Sequence, residues 1–260
     1  ESMKFGFYLA PFHNHKENPT LALSRDLELI QFLDDLGYDY AWVSENYSAD
    51  MEIIASPEVF ITRAAARTER IKLGVGVSRV PTDPPLFEIA LASQISPAAA
   101  STAGTHGLGL LSLGATIPGG FSALATNWEI YERKARENNR VADRSIWSLA
   151  GPMHLAETKN QALENVRYGI AEWVTHLRET AGLTIVPGDE DPAESMVESG
   201  LAVIGTPDDA TAQIRRLEEA SGGFGTFLQM AHNCADVPQT KTSYELFARY
   251  VAPVFNETNP

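Results

Sequence analysis

The chain has 260 residues, of which 44% are hydrophobic, and this is enough to bury one large core. Its formal net charge of −14 at pH 7 repels nucleic acid and anionic membranes, so we expect neither as a partner. No apolar run approaches the roughly 20 residues that a membrane helix needs. The single cysteine, Cys234, excludes an internal disulfide and fits a cytoplasmic location.

Short apolar segments alternate with helical patterns along the chain. Strands are predicted at residues 4–10, 38–43, 71–77, 88–93, 108–113, 145–155 and 224–232. Helices are predicted at residues 19–36, 57–68, 97–105, 121–138, 158–180, 207–220 and from 243 to about 255. Four helix starts carry a cap residue followed by proline: Asn18-Pro19, Ser56-Pro57, Ser96-Pro97 and Thr206-Pro207. The segment 185–200, rich in proline, glycine and acidic residues, is predicted to be a mobile loop. The alternation predicts an α/β fold with a parallel sheet.

One connection breaks this alternation. Ten residues, 78–87, separate the third predicted strand from the fourth, and three of them are proline. Parallel neighbours need a crossover of about a dozen residues or more, usually with a helix. The two strands therefore pair antiparallel, or a segment is absent at about 80–83. The second alternative also accounts for seven predicted strands where a closed barrel uses eight.

The strand that begins at Tyr40 ends abruptly in polar residues. Ser44, Glu45, Asn46 and Tyr47 follow its apolar part directly. In α/β folds ligands bind at the carboxyl ends of parallel strands. This cluster therefore predicts one side of a binding site.

Several motifs together resemble the bacterial luciferase-like monooxygenases, in particular their limonene-monooxygenase-like members. The motifs are Ala10-Pro-Phe-His13, Trp42-Val-Ser-Glu45, Glu52-Ile-Ile-Ala-Ser-Pro-Glu-Val-Phe60, Ala90-Leu-Ala-Ser-Gln-Ile-Ser-Pro97, His106-Gly-Leu-Gly-Leu-Leu-Ser112, Gly151-Pro-Met-His-Leu-Ala-Glu-Thr158 and Ile204-Gly-Thr-Pro207. The resemblance implies a (β/α)8 TIM barrel formed by residues 1–260 as a single domain, and a homodimer is expected. The family normally carries a further strand, helices and an insertion at the junction near residues 80–84.

The resemblance also implies an activity. The chain is expected to be a flavin-dependent monooxygenase that takes reduced FMN from a separate flavin reductase. Reduced flavin and O2 would form a C4a-(hydro)peroxyflavin that oxygenates a small organic substrate. Two alternatives stay open: an oxidoreductase dependent on the deazaflavin F420, and a flavin-binding barrel with little or no turnover.

The predicted site residues follow the strand ends. The cofactor-binding set is Arg79, Ala92, Ser93, Gln94, Ser96, Gly114 and Ala115. The substrate-pocket set is Phe12, His13, Val77 and His232, although His13 could equally be a solvated loop residue. Ser96-Pro97 starts a helix whose N–H groups and dipole suit a phosphate, and Gly205-Thr206-Pro207 is a second choice.

Relatives carry histidines after Ser-Glu on the second strand, whereas this chain has Asn46 and Tyr47, which become its candidate catalytic residues. Asparagine cannot titrate near neutral pH, and tyrosine is a poor base because its pKa is about 10. Membership of the family therefore does not by itself imply the oxygenation chemistry. Trp42 and Trp147 are predicted to pack in the core, His154 lies on a strand and could point into the barrel or outwards, and no spacing indicates a metal site.

Overall fold

Strands and helices alternate in the computed structural model, which describes residues 2–9, 13, 17–44, 52–76, 89–181, 191–231 and 233–256. The strands are β1 (Lys4–Leu9), β2 (Tyr40–Ser44), β3 (Lys72–Gly76), β4 (Ala90–Ser93), β5 (Gly109–Ser112), β6 (Trp147–Leu155), β7 (Val203–Gly205) and β8 (Thr226–Ala231). The helices are α1 (Pro19–Asp35), α2 (Pro57–Ala65), α3 (Ala98–His106), α4 (Pro118–Glu137), α5 (Lys159–Val166), α6 (Ile170–Ala181), α7 (Pro192–Glu198), α8 (Pro207–Ser221), α9 (Val237–Leu246) and α10 (Ala252–Asn256). A 3₁₀ turn covers Arg144–Ile146, and a π-helical turn, Phe247–Val251, joins α9 to α10.

Parallel pairing joins seven of these strands into one curved wall, a nearly closed barrel surrounded by helices. The order across the wall is β3-β2-β1-β8-β6-β5-β4. The three-residue strand β7 pairs with the carboxyl end of β6, to one side of this path. The predicted α/β barrel class is thus confirmed, and the seven predicted strands are the seven strands of the wall.

The barrel wall is open on one side. β3 and β4 lie at the two ends of the wall, and within the described residues no pairing joins them. β3 is parallel to β2, and β4 is parallel to β5. The antiparallel pairing of β3 with β4, which was one of the two predicted alternatives, is not found among the described residues. All four residues of β5 are buried, but in β3 and β4 only the last residue of each strand is buried. The break predicted from spacing coincides with this open side.

Alternate residues of the wall point to opposite faces, as the period of a strand requires. Phe7 and Leu9 point outwards and join the main core between the wall and the helices. Tyr8 points inwards and packs with Leu111 and Leu228 inside the barrel. The interior is therefore a packed core of its own and not a channel.

A cavity of about 280 Å³ lies at the amino ends of the strands. Residues of six wall strands line it, among them Lys4, Tyr40, Ala90, Gly109, Ser148 and Thr226. Trp42, predicted as a core residue, is only half-buried and faces this cavity. The same prediction is confirmed for Trp147, which is fully buried and stacks on Trp128 with ring centroids 4.9 Å apart.

The predicted helix at residues 158–180 is wrong in one respect, because it is two helices, α5 and α6, separated by a turn at 167–169. Gly169 explains the interruption. Its N–H donates to the carbonyl oxygen of Cys234 (2.9 Å), and a Cβ at this position would lie 2.8 Å from the carbonyl oxygen of Asn233. The loop after β8 approaches the turn so closely that a continuous helix with a side chain here does not fit.

Two short elements were missed from the sequence. Helix α7 lies inside the predicted mobile loop 185–200, capped by Asp191, whose carboxylate accepts from the N–H groups of Ala193 and Glu194. Strand β7 has only three residues, too few for a periodic pattern. Both elements form because tertiary packing buries them, as Met196 in α7 illustrates.

Helix boundaries mostly follow the predicted caps. The Asn18 and Thr206 side chains accept backbone hydrogen bonds at the starts of α1 and α8, as predicted. Ser56 also stands at the cap position of α2, but its hydroxyl donates to the Glu58 carboxylate (3.1 Å) and does not cap the helix backbone. Helix α3 begins one residue later than expected, at Ala98, and the last helical region begins six residues earlier than expected, at Val237.

The end of α1 is joined to the segment that leads into β3. The buried carboxylate of Asp34 accepts the backbone N–H groups of Glu69 (2.7 Å), Arg70 (3.0 Å) and Ile71 (2.7 Å). The Arg70 guanidinium donates to the carbonyl oxygen of Asp34 in return (2.7 Å). One side chain therefore fixes the position at which β3 enters the wall.

Candidate functional site

The carboxyl ends of β1, β2 and β3 bring together a small polar group inside the barrel mouth. Ser44 ends β2 in register with Gly76 of β3, and a Cβ on Gly76 would lie 3.0 Å from the hydroxyl of Tyr8. Tyr8 and Ser44 therefore face the same interior space. The tight fit over Gly76 holds the phenol ring of Tyr8 in place.

Tyr8 stays protonated across the neutral pH range. Burial raises the pKa of its phenol well above the ordinary value, and the negative charge of Glu52 raises it further. The neighbouring hydroxyl of Ser44 lowers that pKa by less than these two effects raise it. Tyr8 can donate or accept a hydrogen bond at the mouth, but it cannot act as a base.

Ser44 carries a buried hydroxyl that is not satisfied by the rest of the described structure. Its oxygen has no hydrogen-bond partner of good geometry among the described residues, although it lies beside Tyr8. Buried polar groups are nearly always hydrogen-bonded, so such a group indicates a place where a bound molecule supplies the partner.

We expect Ser44→Ala to change the free energy of unfolding by no more than about 0.5 kcal/mol, because no protein hydrogen bond is lost. Ser112 is the matched control, since it too is a buried serine at a strand's carboxyl end, but its oxygen accepts from the indole Nε1 of Trp147 (3.0 Å). Ser112→Ala should cost about 1–2 kcal/mol by leaving that N–H unpaired. Urea unfolding of the two variants measures both values. A loss above about 1.5 kcal/mol in Ser44→Ala would show that its hydroxyl is structural.

A pair of polar side chains, His176 and Glu52, lies above Tyr8 and Ser44. His176 of α6 places Nε2 3.7 Å from the Oε1 atom of Glu52, which follows β2 in the chain. Their side chains are 9% and 11% exposed, so the pair is largely shielded from solvent. Sequence reasoning missed His176, because a single histidine inside a helical pattern carries no signal of its own.

Helix α6 lies beside the segments that follow β6, β8 and β2. Its Trp173 and Val174 belong to a second core cluster with Ala156, directly after β6, and Cys234, shortly after β8. One turn further along, His176 reaches Glu52 beside β2. Since β1 lies between β8 and β2 in the wall, α6 crosses above the end of β1.

The structure brings most of the predicted cofactor-binding residues together on the other side of the mouth. The carbonyl oxygen of Ser93 accepts from the N–H of Leu113 (2.8 Å), which joins the ends of β4 and β5. A Cβ on Gly114 would lie 2.6 Å from the carbonyl oxygen of Gln94, so the two loops touch backbone to backbone. Gly120 in the first turn of α4 fits against the same point, since a Cβ here would lie 2.0 Å from the carbonyl oxygen of Gly114. We call these two touching loops, residues 93–97 and 113–120, the rim loops.

Some side chains of the rim loops and the adjoining strand are bonded or packed within the protein, and others are exposed to an incoming ligand. The Ser93 hydroxyl donates to the carbonyl oxygen of Ser96 (2.7 Å), and Ala115 is fully buried in the main core. Ala92 is half-buried among the inward-facing residues of the barrel. Gln94 and Ser96 are exposed, and the Ser96 oxygen accepts from the N–H of Ala98 at the start of α3 (3.3 Å). Gln94 and Ser96 are thus the side chains that an incoming phosphate can reach.

The second predicted phosphate position is already occupied by the protein. The carboxylate of Asp209 accepts from the N–H (2.8 Å) and the hydroxyl (2.9 Å) of Thr206, forming a capping box. Asp208 adds another negative charge in the same turn. A phosphate would meet two carboxylates here, so the start of α3 is the better anion site.

The two histidines that the sequence singled out and the structure describes are buried. His13 lies with Nε2 2.7 Å from Oδ2 of Asp26, and both are at most 3% exposed, so it is not a solvated loop residue. His154 contacts Nδ2 of Asn165 through its Nε2 atom at 3.1 Å. The first pair fixes the residues before α1 to that helix, and the second fixes β6 to α5.

Six predicted site residues lie outside the described residues: Phe12, Asn46, Tyr47, Val77, Arg79 and His232. Their assignments stay predictions. Within the described part of the chain, no group of three or more His, Cys, Asp or Glu side chains could hold a metal ion. None of the helices described there combines the length and apolar character needed to cross a bilayer.

A separate cavity of about 260 Å³ lies on the outer rim, between α1, the turn after α5 and the start of α9. Its lining mixes charges of both signs, including Glu17, Arg25, Glu172 and Lys241. None of the rim-loop residues lines it, and the Glu17 carboxylate is already paired with Arg25. The barrel mouth is therefore the better candidate for chemistry.

Comparison with known proteins shows which family this chain belongs to. The family model described as luciferase-like monooxygenase matches residues 3–93. Limonene 1,2-monooxygenase from Rhodococcus erythropolis is 34% identical over 334 aligned residues, which cover 97% of this chain and 86% of that protein. The chain belongs to the luciferase-like monooxygenase family. The resemblance stated from the motifs is confirmed.

Solved structures with the same fold include luciferase-like proteins that use different cofactors. The oxygenating constituent of 3,6-diketocamphane monooxygenase from Pseudomonas putida, in complex with FMN, aligns with a TM-score of 0.75 and 22% identity, covering 97% of this chain and 99% of that one. The coenzyme F420-dependent tetrahydromethanopterin reductase from Methanopyrus kandleri aligns with a TM-score of 0.66 and 16% identity, covering 98% and 100%. At these identities the likeness shows the fold alone.

The alignment with the Rhodococcus protein also bears on the open wall of this luciferase-like chain. Its 334 aligned positions exceed the 260 residues of the whole chain by 74, so at least that many positions of the alignment have no residue here. That relative therefore has residues within the aligned range that have no counterpart in this chain. The segment predicted to be missing at about residues 80–83 stays a prediction.

Proposed function

We propose that this luciferase-like chain is a flavin-dependent monooxygenase that uses reduced FMN and O2 to oxygenate a small organic substrate. The observation that carries the proposal is the 34% identity, over 97% of the chain, to a protein named a monooxygenase. The structural neighbour that binds FMN is named as an oxygenating constituent, which supports a separate reductase as the source of reduced flavin. The homodimer, the single domain and the cytoplasmic location stay predictions.

The residues at the mouth suit FMN. The start of α3 offers backbone N–H groups and a positive dipole end, with Gln94 and Ser96 exposed beside it for the phosphate. On the opposite side, the unsatisfied hydroxyl of Ser44 and the phenol of Tyr8 would orient the ring system or the substrate. Helix α6 would exclude water from above. When bound, reduced FMN supplies the reaction with O2, and the protein positions the reactants and controls protons.

Two alternative functions are each favoured by a specific observation. An F420-dependent oxidoreductase is favoured by the fold shared with the reductase from Methanopyrus kandleri. A flavin-binding barrel with little turnover is favoured by the open wall and by Asn46 and Tyr47 in place of the family histidines. All three proposals use the same mouth, so cofactor and turnover measurements separate them.

The test begins with fluorescence titration of the protein with FMN and with F420, followed by anaerobic loading with reduced FMN and stopped-flow mixing with O2. We expect FMN to bind and a transient absorbing species to precede oxidised FMN. Tight binding of F420 without FMN would favour the hydride-transfer alternative. FMN binding without any effect of the protein on flavin oxidation would favour the binding barrel.

A further inference from the structure

We propose that His176 and Glu52 form the proton-transferring pair of this site, in place of the family histidines that the chain lacks at Asn46 and Tyr47. This inference deepens the proposed monooxygenase function and depends on it. Three properties of the pair carry it: its position over the mouth, its shielding from solvent, and the electrostatic effect of Glu52 on Tyr8 below.

The position of the pair follows from the packing of α6. Trp173 anchors the helix in the core cluster above β6 and β8, and His176 lies one turn further on the adjoining face. Glu52 approaches from the β2 side. The pair therefore lies above the end of β1, where Tyr8 faces the interior.

The pair and the polar group below it form one cluster. The carboxylate of Glu52, whose Oε1 atom lies 3.7 Å from Nε2 of His176, also acts electrostatically on the Tyr8 phenol. Ser44 adds a buried hydroxyl without a well-placed partner among the described residues. A phenol, a hydroxyl, a carboxylate and an imidazole thus converge at the mouth, and the unsatisfied hydroxyl independently indicates a ligand there.

Imidazole is the group in this cluster whose chemistry suits proton transfer near neutral pH. Tyr8 is held protonated, and a paired carboxylate such as Glu52 orients the imidazole and stabilises its charged form. The other titratable groups described on the surrounding elements include Cys234, buried in the core to one side, and Glu172, Arg178 and Glu179, all exposed on α6 itself. We infer that the imidazolium delivers its proton to an oxygen atom that gains negative charge during turnover. It then recovers a proton from water.

The test follows the oxidation of protein-bound reduced FMN by O2, which yields oxidised FMN and hydrogen peroxide and needs no substrate. The variants are His176→Asn and Glu52→Gln. Each removes one member of the pair, so one variant still tests the inference if the other does not fold. His106→Asn is the control, because His106 is an exposed histidine at the end of α3. The dissociation constant of FMN is measured for each across the same pH range.

In the wild type and His106→Asn we expect the oxidation rate to change in one step as the pH is varied, because an imidazole transfers the proton. His176→Asn should lose that step and change the rate at least about tenfold, with the FMN dissociation constant within about threefold of wild type. The double variant should be no worse than either single variant, because the two residues act as a unit. A normal step and rate in His176→Asn, with FMN bound normally, would overturn the inference. Failure of the wild type to bind FMN would instead overturn the proposed function, and this inference with it.

Discussion

Replacing Gly120 by alanine is expected to lower the free energy of unfolding by about 2–3 kcal/mol and to weaken FMN binding at least about tenfold. The new Cβ would lie 2.0 Å from the carbonyl oxygen of Gly114 and 3.0 Å from that of Gln94. Both are backbone atoms, so no side chain can rotate away. The rim loops must separate, and the start of α3 moves relative to the end of β5.

Gly119→Ala is the matched control in the same turn of α4. Its Cβ would meet only the flexible side chain of Ile95, at 3.3 Å. Alanine is a better helix former than glycine, so this variant should be neutral or slightly more stable. Urea unfolding and FMN titration of both variants separate the two effects. Normal FMN binding by Gly120→Ala, despite lost stability, would mean that the rim loops do not bind the cofactor.

Replacing Asp34 by alanine is expected to cost about 2–4 kcal/mol of stability at neutral pH. The substitution leaves the backbone N–H groups of Glu69, Arg70 and Ile71 without their shared acceptor. Asp35 is the matched control, since it is an acidic residue at the same helix end but exposed. Asp35→Ala should change the unfolding free energy by less than about 0.5 kcal/mol. Equal losses in the two variants would contradict a special role for Asp34.

The Asp34 contribution should also depend on pH. Burial acts to raise the pKa of this carboxyl, but the three backbone N–H donors and Arg70 outweigh it and lower the pKa overall. The stabilisation is therefore complete above the unfolded value of about 3.9 and is lost as the pH falls through the lower folded value. The difference in stability between wild type and Asp34→Asn should shrink when urea unfolding is repeated near pH 3.

The sequence predicted those parts of the fold that local patterns determine. The seven wall strands are short apolar runs, and Asn18 and Thr206 mark helix starts through their own side chains. Helix α7 and strand β7 are too short to show a period, and they depend on contacts with distant elements. The break at the turn near Gly169 depends on a loop more than 60 residues away in sequence, which no local pattern reports.

The candidate site also contains residues that the sequence could predict and residues that depend on tertiary packing. Ser93, Gln94 and Gly114 could be grouped beforehand because they follow adjacent strands, whose carboxyl ends meet at one face. His176 could not be grouped with Glu52, because only the packing of α6 across the mouth brings them together. His13 illustrates the opposite error. Its type suggested a rim residue, whereas its 2.7 Å contact with Asp26 makes it part of the buried framework.

The open wall changes how the two parts of the barrel depend on each other. In a closed barrel, any group of adjacent strands is held to the remainder along two seams. Within the described residues, the group β1–β3 joins the rest of the wall along one seam, the six residue pairs from Lys4–Thr226 to Leu9–Ala231. The polar cluster and the rim loops lie on opposite sides of this seam. Their relative position, and with it the width of the mouth, is therefore set mainly by the β1–β8 seam and by the helix that crosses above it.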